Sequence, residues 1–568
     1  MKHKENITDK KLYGRYFTPK NVADYITGWV LNQKAPVESI LEPSAGNGIF
    51  VESICQHPCS ENAKICAVEI DRFLSESVSV QYEMDLVKDS DSQKCKHHTI
   101  INDDFYHVFR EKICKEKYHA VLGNPPYIRY QYLSSEQRSE QNLILLQNGM
   151  KSNKLINTWV SFTVACVSCM AENSRIGFVL PAEMLQVKYS DDLRKFLVRE
   201  LNKITVLVFD SMIFDNISQE VVILLGEKES EVSSHEVRII QFPDISCAER
   251  DNLDNYKYTE ADFQSGKWTK YFLKSSEQKQ IHLAMQDDRF LPFSKIAKFE
   301  VGITTGNNDY FCIDKNTADK YKLERYCRPL IARSVSIKGA VFLKKDWEMN
   351  ILSGAKTYLL DLSPVERKNF IKGISDYIAD GEKLGQNANY KCSIRKEWYK
   401  VPSVWSPDAF FLRRNYLYPK FVLNSEAVNA VSTDTMHRVQ FLEKRNQKRA
   451  VVAYYTSISM VFSELEGRSY GAGVLEILPR EAENILLPDI FTNELVSDKE
   501  INDLFSFIDQ YIRVHDDIKD LLEIVDKKIL IESIGIPENE VMEYRNAWLR
   551  LRNRRLKRKI LQNKEEKS

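Results

Sequence analysis

Four consecutive residues, Asn124-Pro125-Pro126-Tyr127, stand directly behind the apolar run Tyr118-His119-Ala120-Val121-Leu122 and Gly123. Proline cannot donate to a sheet ladder, and it restricts the residue before it. The run therefore reads as a buried strand that ends in a rigid corner with few hydrogen-bond donors. What such a corner has to offer is acceptors: the side-chain oxygen of Asn124 and the carbonyl of Pro125. A group with hydrogens to give, held between two acceptors that the prolines fix in place, is the chemistry this stretch suits. Tyr127 adds a ring beside them.

A second set of candidates lies upstream. "ILEPSAGNGIFV", residues 40–51, is an apolar strand end followed by a small-residue loop and then a helix. Gly46 and Gly48 let the backbone turn tightly and approach a ligand closely, and ligands of open α/β sheets sit at the carboxyl ends of strands. A lone G-x-G also serves plain turn geometry, so its neighbours decide. The third glycine of the dinucleotide fingerprint is absent, and Glu42 precedes the loop. A carboxylate there repels a pyrophosphate and suits a positively charged or amino-bearing ligand. Glu69 closes the next β-rich run, about twenty residues on, where a carboxylate usually grips ribose hydroxyls. Asp104 and Phe105 end the third run, where the acid can accept from an adenine amino group and the ring can pack on its face. Ser44 and Ala45 in the loop, and Ile70 behind Glu69, complete the set. Together they describe a pocket for an adenosine that carries a cation rather than phosphates.

With these residues in view the chain resembles the S-adenosylmethionine-dependent methyltransferases. The Asn-Pro-Pro-Tyr corner and the order of the blocks resemble the gamma class of adenine-N6 DNA methyltransferases of type II restriction–modification systems. The block "GRYFTPKNVADYI" (residues 14–26), the glycine loop and the corner carry the likeness over about residues 12–226. A weaker match follows in "VGITTGNNDYF" (residues 301–311) and "YGAGVLEILP" (residues 470–479). The resemblance implies S-adenosylmethionine as cofactor, with Tyr16, Thr18 and Pro19 near its methionine part. Thr18 and Pro19 also fit a plain helix N-cap with proline at the first helical position. It implies double-stranded DNA as partner, with the target adenine flipped out of the duplex, Asn124, Pro125, Pro126 and Tyr127 as the catalytic corner, and Tyr127 and Phe214 stacking on the base. A Phe between two β runs is also an ordinary core residue. Pro58-Cys59 looks like the nucleophile pair of cytosine-C5 methyltransferases, but it comes before the second strand and reads as a loop cysteine. Enzymes that methylate RNA or protein glutamine share the corner, and a bifunctional restriction–modification protein is a further alternative. The long aromatic and basic second half favours duplex DNA.

The elements that must position these groups are legible in outline. β-rich runs occur at "SILEP", "KICAVEID", "HTIINDDF", "HAVLGN", "RIGFVLP", "KITVLVFD" and "EVVILLG", with amphipathic stretches such as "PKNVADYITGWVLNQ" and "DDLRKFLVRELN" between several of them. That alternation predicts an α/β fold: a Rossmann-like, mostly parallel sheet with helices on both faces. From about Lys270 the rhythm stops and aromatic and basic residues interleave. We expect a catalytic domain over 1–265, an α+β target-recognition domain over 290–495, and a helical segment with a basic tail over 497–568.

At 568 residues more than one domain is required. The 43% hydrophobic and 28% charged content is that of a soluble globular protein. No apolar run is long enough to cross a bilayer and the N-terminus has no signal-peptide core, so we expect a cytoplasmic monomer that contacts no membrane, with any cognate restriction endonuclease on a separate chain. Eleven scattered cysteines form no framework. Cys166 and Cys169, and His97-His98, lack a second ligand pair and predict packing and a turn, with no metal. Net charge is zero, yet residues 545–559 hold eight basic residues and no acid. This tail reads equally as a contact to a phosphate backbone or as a solvated, frayed helix.

Overall fold

The apolar runs of the first half become strands of one sheet. The computed structural model describes residues 17–79, 98–152, 156–211, 213–214, 220–231, 234–261, 266–470, 473–492 and 495–565. They divide into two compact units, one running to Phe272 and taking in the chain from Ile560 on, the other from Leu273 to Lys559. In the first, β1 (Ser39–Glu42), β2 (Lys64–Glu69), β3 (His98–Asn102), β4 (Tyr118–Gly123), β5 (Met170–Pro181), β6 (Lys203–Phe209), β7 (Val221–Lys228), β8 (Glu236–Phe242) and β9 (Thr259–Glu260) pair in the order β3-β2-β1-β4-β5-β7-β6-β8-β9. The first five in that order are parallel, and β7 inserts antiparallel between β5 and β6. The order reverses between β1 and β4, which opens a crevice at their carboxyl ends.

Strand side chains alternate between two cores, as the period of two requires. Ile40, Ile65, Ala67, Ala120 and Leu122 point into one cluster, and Leu41, Cys66, Val68 and Val121 into the other. The first cluster is covered by α1 (Lys20–Leu31), which buries Val22, Ala23, Ile26, Thr27, Val30 and Leu31. Those positions fall on one stripe of a 3.6-residue helix. A Cβ at Gly177 of β5 would lie 2.5 Å from Ile26 Cγ2, so glycine lets α1 approach the sheet. The second cluster holds α5 (Thr158–Ser168), apolar nearly all round and buried from Thr158 to Val167. Cys166 and Cys169 pack there, as expected. Between α1 and α5 in the chain come α2 (Ile49–Gln56), α3 (Phe105–Glu111) and α4 (Ser135–Gln147).

β8 is missing from the strands read in the sequence, because Arg238 interrupts its apolar run. In the fold this guanidinium donates to the carbonyls of Leu253 and Tyr256 at 2.6 and 2.7 Å and stacks on Tyr258. A buried charge is tolerated when its donors are satisfied.

The second unit contains a five-stranded sheet ordered Ala297–Val301, Met436–Phe441, Ala409–Leu412, Phe421–Asn424 and Val341–Phe342. A four-stranded sheet and several helices surround it. The helical segment from Ser497 falls within this same unit as far as Lys559. The basic tail is also corrected. Within the last helix, Arg555 donates to both oxygens of Glu464 at 3.0 and 2.6 Å and to the carbonyls of Tyr416 and Gly473. Arg552 binds Asp517 and Leu417 O, and Arg545 binds the buried Asp526. Arg545, Arg552 and Arg555 are thus fasteners of the unit, while Lys557 of the same run is exposed. Breaking such a buried pair from one side costs about 3–5 kcal/mol. Among the described residues no helix is long and apolar enough to cross a membrane.

Candidate active site

The four parallel strands β3, β2, β1 and β4 end side by side, so the groups placed just beyond them converge. A cavity of about 700 Å³ opens there, within the size range of small-molecule sites. Of the residues chosen from the sequence, Thr18, Glu42, Ser44, Ala45, Gly46, Glu69, Ile70, Asp104, Phe105, Asn124 and Pro126 line it. Pro19, Gly48, Pro125, Tyr127 and Phe214 do not, and Tyr16 lies outside the described residues.

The loop after β1 is held by its own amides. Ala45 N–H donates to Val68 O at 2.8 Å, and Gly46 N–H donates to Glu69 Oε2 at 2.8 Å. The other Glu69 oxygen takes the Asp71 N–H at 2.9 Å. Gly46 and Gly48 have φ of 56° and 81°, a region L side chains rarely adopt. A Cβ at Gly48 would also lie 2.8 Å from Val78 Cγ2, so only glycine starts α2 there.

Glu42 is the anomaly of the site. It is wholly buried, and among the described residues neither carboxyl oxygen has a hydrogen-bond partner. Burial first, and then the neighbouring Glu69 carboxylate, push its pKa from 4.5 to about 8. The cavity is otherwise acidic: Glu69, Asp103 and Asp104 line it, with Arg138 the one basic residue among the described lining. Buried polar groups without partners are rare and call for an explanation. A cationic or amino-bearing ligand supplies one, and S-adenosylmethionine has this character; a pyrophosphate would meet three or four carboxyl groups.

Asp104 caps α3, its Oδ1 accepting from Tyr106 N and His107 N, while Oδ2 accepts from Gln137 Nε2 at 2.7 Å. Phe105 stacks on Phe162 with centroids 4.2 Å apart. The acid and the ring read from "DDFY" thus sit together, each braced by a residue absent from that reading.

The corner after β4 is held by hydroxyls. Asn124 Nδ2 donates to Thr18 Oγ1 at 3.2 Å, and Ser44 Oγ donates to the Asn124 carbonyl at 3.1 Å. Thr158 Oγ1 donates to the Pro126 carbonyl and accepts from Ile128 N–H at 2.9 Å. Tyr127 packs between the two cores and donates its hydroxyl to Val179 O at 3.2 Å. Thr18 does not cap α1: the N-cap is Pro19, with no side-chain cap, and the helix starts at Lys20. The hydroxyl that a local reading assigns to the cap turns to Asn124 instead. Phe214 is 4% exposed within the apolar cluster beneath α1.

Thr158, Gln137, Phe162 and Phe17 line the cavity without having been singled out. Each is an ordinary residue for its element, so only tertiary placement distinguishes it. Cys59, the apparent nucleophile, is exposed on a short turn at Pro58–Ser60. Among the described residues no group of three or more His, Cys, Asp or Glu is placed to hold a metal ion.

Comparison with known proteins adds to this geometry. The family model "Eco57I restriction-modification methylase" matches residues 8–214, and "Type II methyltransferase M.Eco57I, C-terminal domain" matches residues 265–530. Type II methyltransferase M.AccI of Acinetobacter calcoaceticus is 23% identical over 517 residues, covering 88% of this chain and 90% of that protein. Type II methyltransferase M.HincII of Haemophilus influenzae is 24% identical over 354 residues, 61% of this chain and 56% of that protein. The solved structure of the type IIL restriction-modification enzyme MmeI in complex with DNA superposes with a TM-score of 0.56 at 12% identity, over 94% of this chain and 75% of that one. That likeness concerns the fold.

Proposed function

Since the chain belongs to the type II restriction–modification methyltransferases, the family that the two matched models describe, we propose that it methylates N6 of adenine in a short double-stranded DNA site, with S-adenosylmethionine as donor. The observation that carries this reading is the Asn124 corner standing in the wall of an acidic, nucleoside-sized cavity. When bound, the cofactor supplies a methyl group activated by a sulfonium. Glu69 accepts from ribose hydroxyls at the end of β2, since a carboxylate has about four acceptor positions. Asp104 and Phe105 receive the adenine ring of the cofactor, and Glu42 meets the ligand's positive charge.

The N6 of the target adenine is a poor nucleophile because its lone pair is conjugated into the ring. Asn124 Oδ1 and Pro125 O accept its two hydrogens and draw the nitrogen toward tetrahedral geometry. As positive charge develops there, both acceptors bind more strongly, which stabilises the transition state. No covalent intermediate with the protein is needed, only placement. The base must leave the duplex to reach this corner, and Tyr127 stacks on it. A stacking role for Phe214 requires that ring to leave its apolar cluster.

The test is to incubate the protein with unmodified duplex DNA and S-adenosylmethionine, then map modified bases by sequencing. We expect N6-methyladenine at one short motif. Modified cytosine, or no modified base at all, would sink the reading.

A further inference from the structure

Two adjacent prolines give the corner an unusual accounting. Neither residue has an N–H, and both φ angles are set by the rings, so ψ is the remaining freedom. A carbonyl points where ψ of its own residue sends it. Three successive carbonyls are therefore at issue: those of Asn124, Pro125 and Pro126.

The outer two are committed. Ser44 Oγ donates to the Asn124 carbonyl at 3.1 Å, from the loop after β1. Thr158 Oγ1 donates to the Pro126 carbonyl from the first turn of α5. The same oxygen accepts the Ile128 N–H at 2.9 Å, and Thr158 N–H donates to Ile128 O at 3.0 Å. A hydroxyl has one hydrogen and two lone pairs; of two acceptors in reach, the Pro126 carbonyl is much nearer than Asn157 Oδ1 at 3.4 Å, so Thr158 uses its hydrogen on Pro126 and a lone pair on Ile128. Thr158 is 1% exposed, so these partners are shielded from bulk water. Among the described residues the Pro125 carbonyl, between the two committed ones, accepts no hydrogen bond.

We infer that Thr158 is a positioning residue for methyl transfer: by holding Pro126 O and Ile128 N–H it locks the corner so that the Pro125 carbonyl alone is left to receive the second amine hydrogen. Thr158 touches no reacting atom. It acts through the proline pair, from a helix more than thirty residues along the chain, and Ser44 plays the matching part on the other side. The inference rests on the adenine-amine reading and says which carbonyl serves it and what keeps that carbonyl uncommitted. A plain packing role for Thr158 makes a different forecast, since a methyl of equal size in place of the hydroxyl would then cost stability and leave the rate per folded molecule unchanged.

The experiment compares Thr158→Val, which keeps the shape and removes the hydroxyl, with Thr158→Ser, which keeps the hydroxyl. Single-turnover methyl transfer is measured with saturating duplex DNA and cofactor, alongside S-adenosylmethionine affinity by calorimetry and the melting temperature. A loss of placement of this kind costs on the order of 100-fold in rate, and we expect that for Thr158→Val with the cofactor Kd unchanged. Thr158→Ser should recover most of the rate. A valine variant as fast as the unsubstituted protein overturns the inference, as does a cofactor affinity that falls in step with the rate, or a serine variant that fails to recover. Should valine prevent folding, Thr158→Ala beside Thr158→Ser carries the same comparison. If the unsubstituted protein methylates no adenine, the functional reading fails and takes this inference with it. Normal activity together with a silent Thr158→Val removes the inference alone.

Discussion

β1 and β4 are neighbours in one sheet, and both end at the same cavity, yet their last turns are built from opposite materials. The turn after β1 is made of small residues, with Gly46 and Gly48 at positive φ. It is a donor turn: its amides reach Val68 O and Glu69. The turn after β4 has two prolines in succession and works as an acceptor turn. Glycine gives up rigidity so that the backbone can bend to a carboxylate, while proline removes backbone donors and leaves a turn of acceptors, two of them held by Ser44 and Thr158. The lesson is that each loop is matched in polarity to what it must hold. Under the proposed function, one side orders acids for a cationic cofactor and the other orders oxygens for an amine.

The sharpest way to break this contrast is to remove the acceptor. Asn124→Ala should reduce methyl transfer by on the order of 10²–10³-fold, the range seen when one preorganised polar group is removed from an active site. S-adenosylmethionine affinity measured by calorimetry should stay the same. Retained activity would mean that the corner is not the reaction site.

The donor turn is tested by Gly48→Ala. The residue must then adopt φ near 81° against Val78, a strain of about 1–3 kcal/mol. Thermal unfolding should show the loss of stability, and cofactor binding should weaken, the reverse of the Asn124 pattern. A variant with wild-type melting and cofactor affinity would contradict the close packing.

Glu42 lies between the two turns and sharpens the comparison through pH. Its folded-state pKa of about 8 lies above the unfolded value of 4.5. Its contribution to stability is therefore present below pH 4.5 and lost as pH rises through about 8. A cationic ligand favours the ionised form, so binding between those two values should release a proton, and affinity should rise with pH before levelling. Calorimetry in buffers of different ionisation enthalpy counts that proton. Glu42→Gln should abolish the release, weaken cofactor binding, and raise the melting temperature relative to the unsubstituted protein above pH 8. Equal proton release in both proteins would remove Glu42 from this role.

The smallest effect is expected at the far end of the acceptor turn. Tyr127→Phe deletes the bond to Val179 O, worth about 1 kcal/mol, and keeps the ring. The melting temperature should fall slightly with little change in transfer rate. A large rate loss would give the phenol a chemical part.

How much of this was legible beforehand depends on the range over which each residue finds its partners. Glu42, Glu69, Asp104 and Asn124 all stand within three residues of the end of an apolar run, so their convergence follows once the runs are strands of a parallel sheet. Gly48 and the proline pair declare themselves by local backbone chemistry. Thr18 misled for the opposite reason: Thr-Pro before a helix looks like a cap, and its partner is Asn124, more than a hundred residues away. Arg238 hid a strand, and the arginines of the last helix looked free, because their carboxylate and carbonyl partners are distant in the chain.

By itself, then, the sequence determined seven strands of the first half and the polarity of the turns at their ends, because backbone conformation and local charge are short-range properties. Which hydroxyl steadies the corner, which carboxyl is left without a partner and which basic residues are buried were decided only by the tertiary structure. Hydrogen bonding and desolvation depend on what surrounds a group in space, and neighbours along the chain do not specify that.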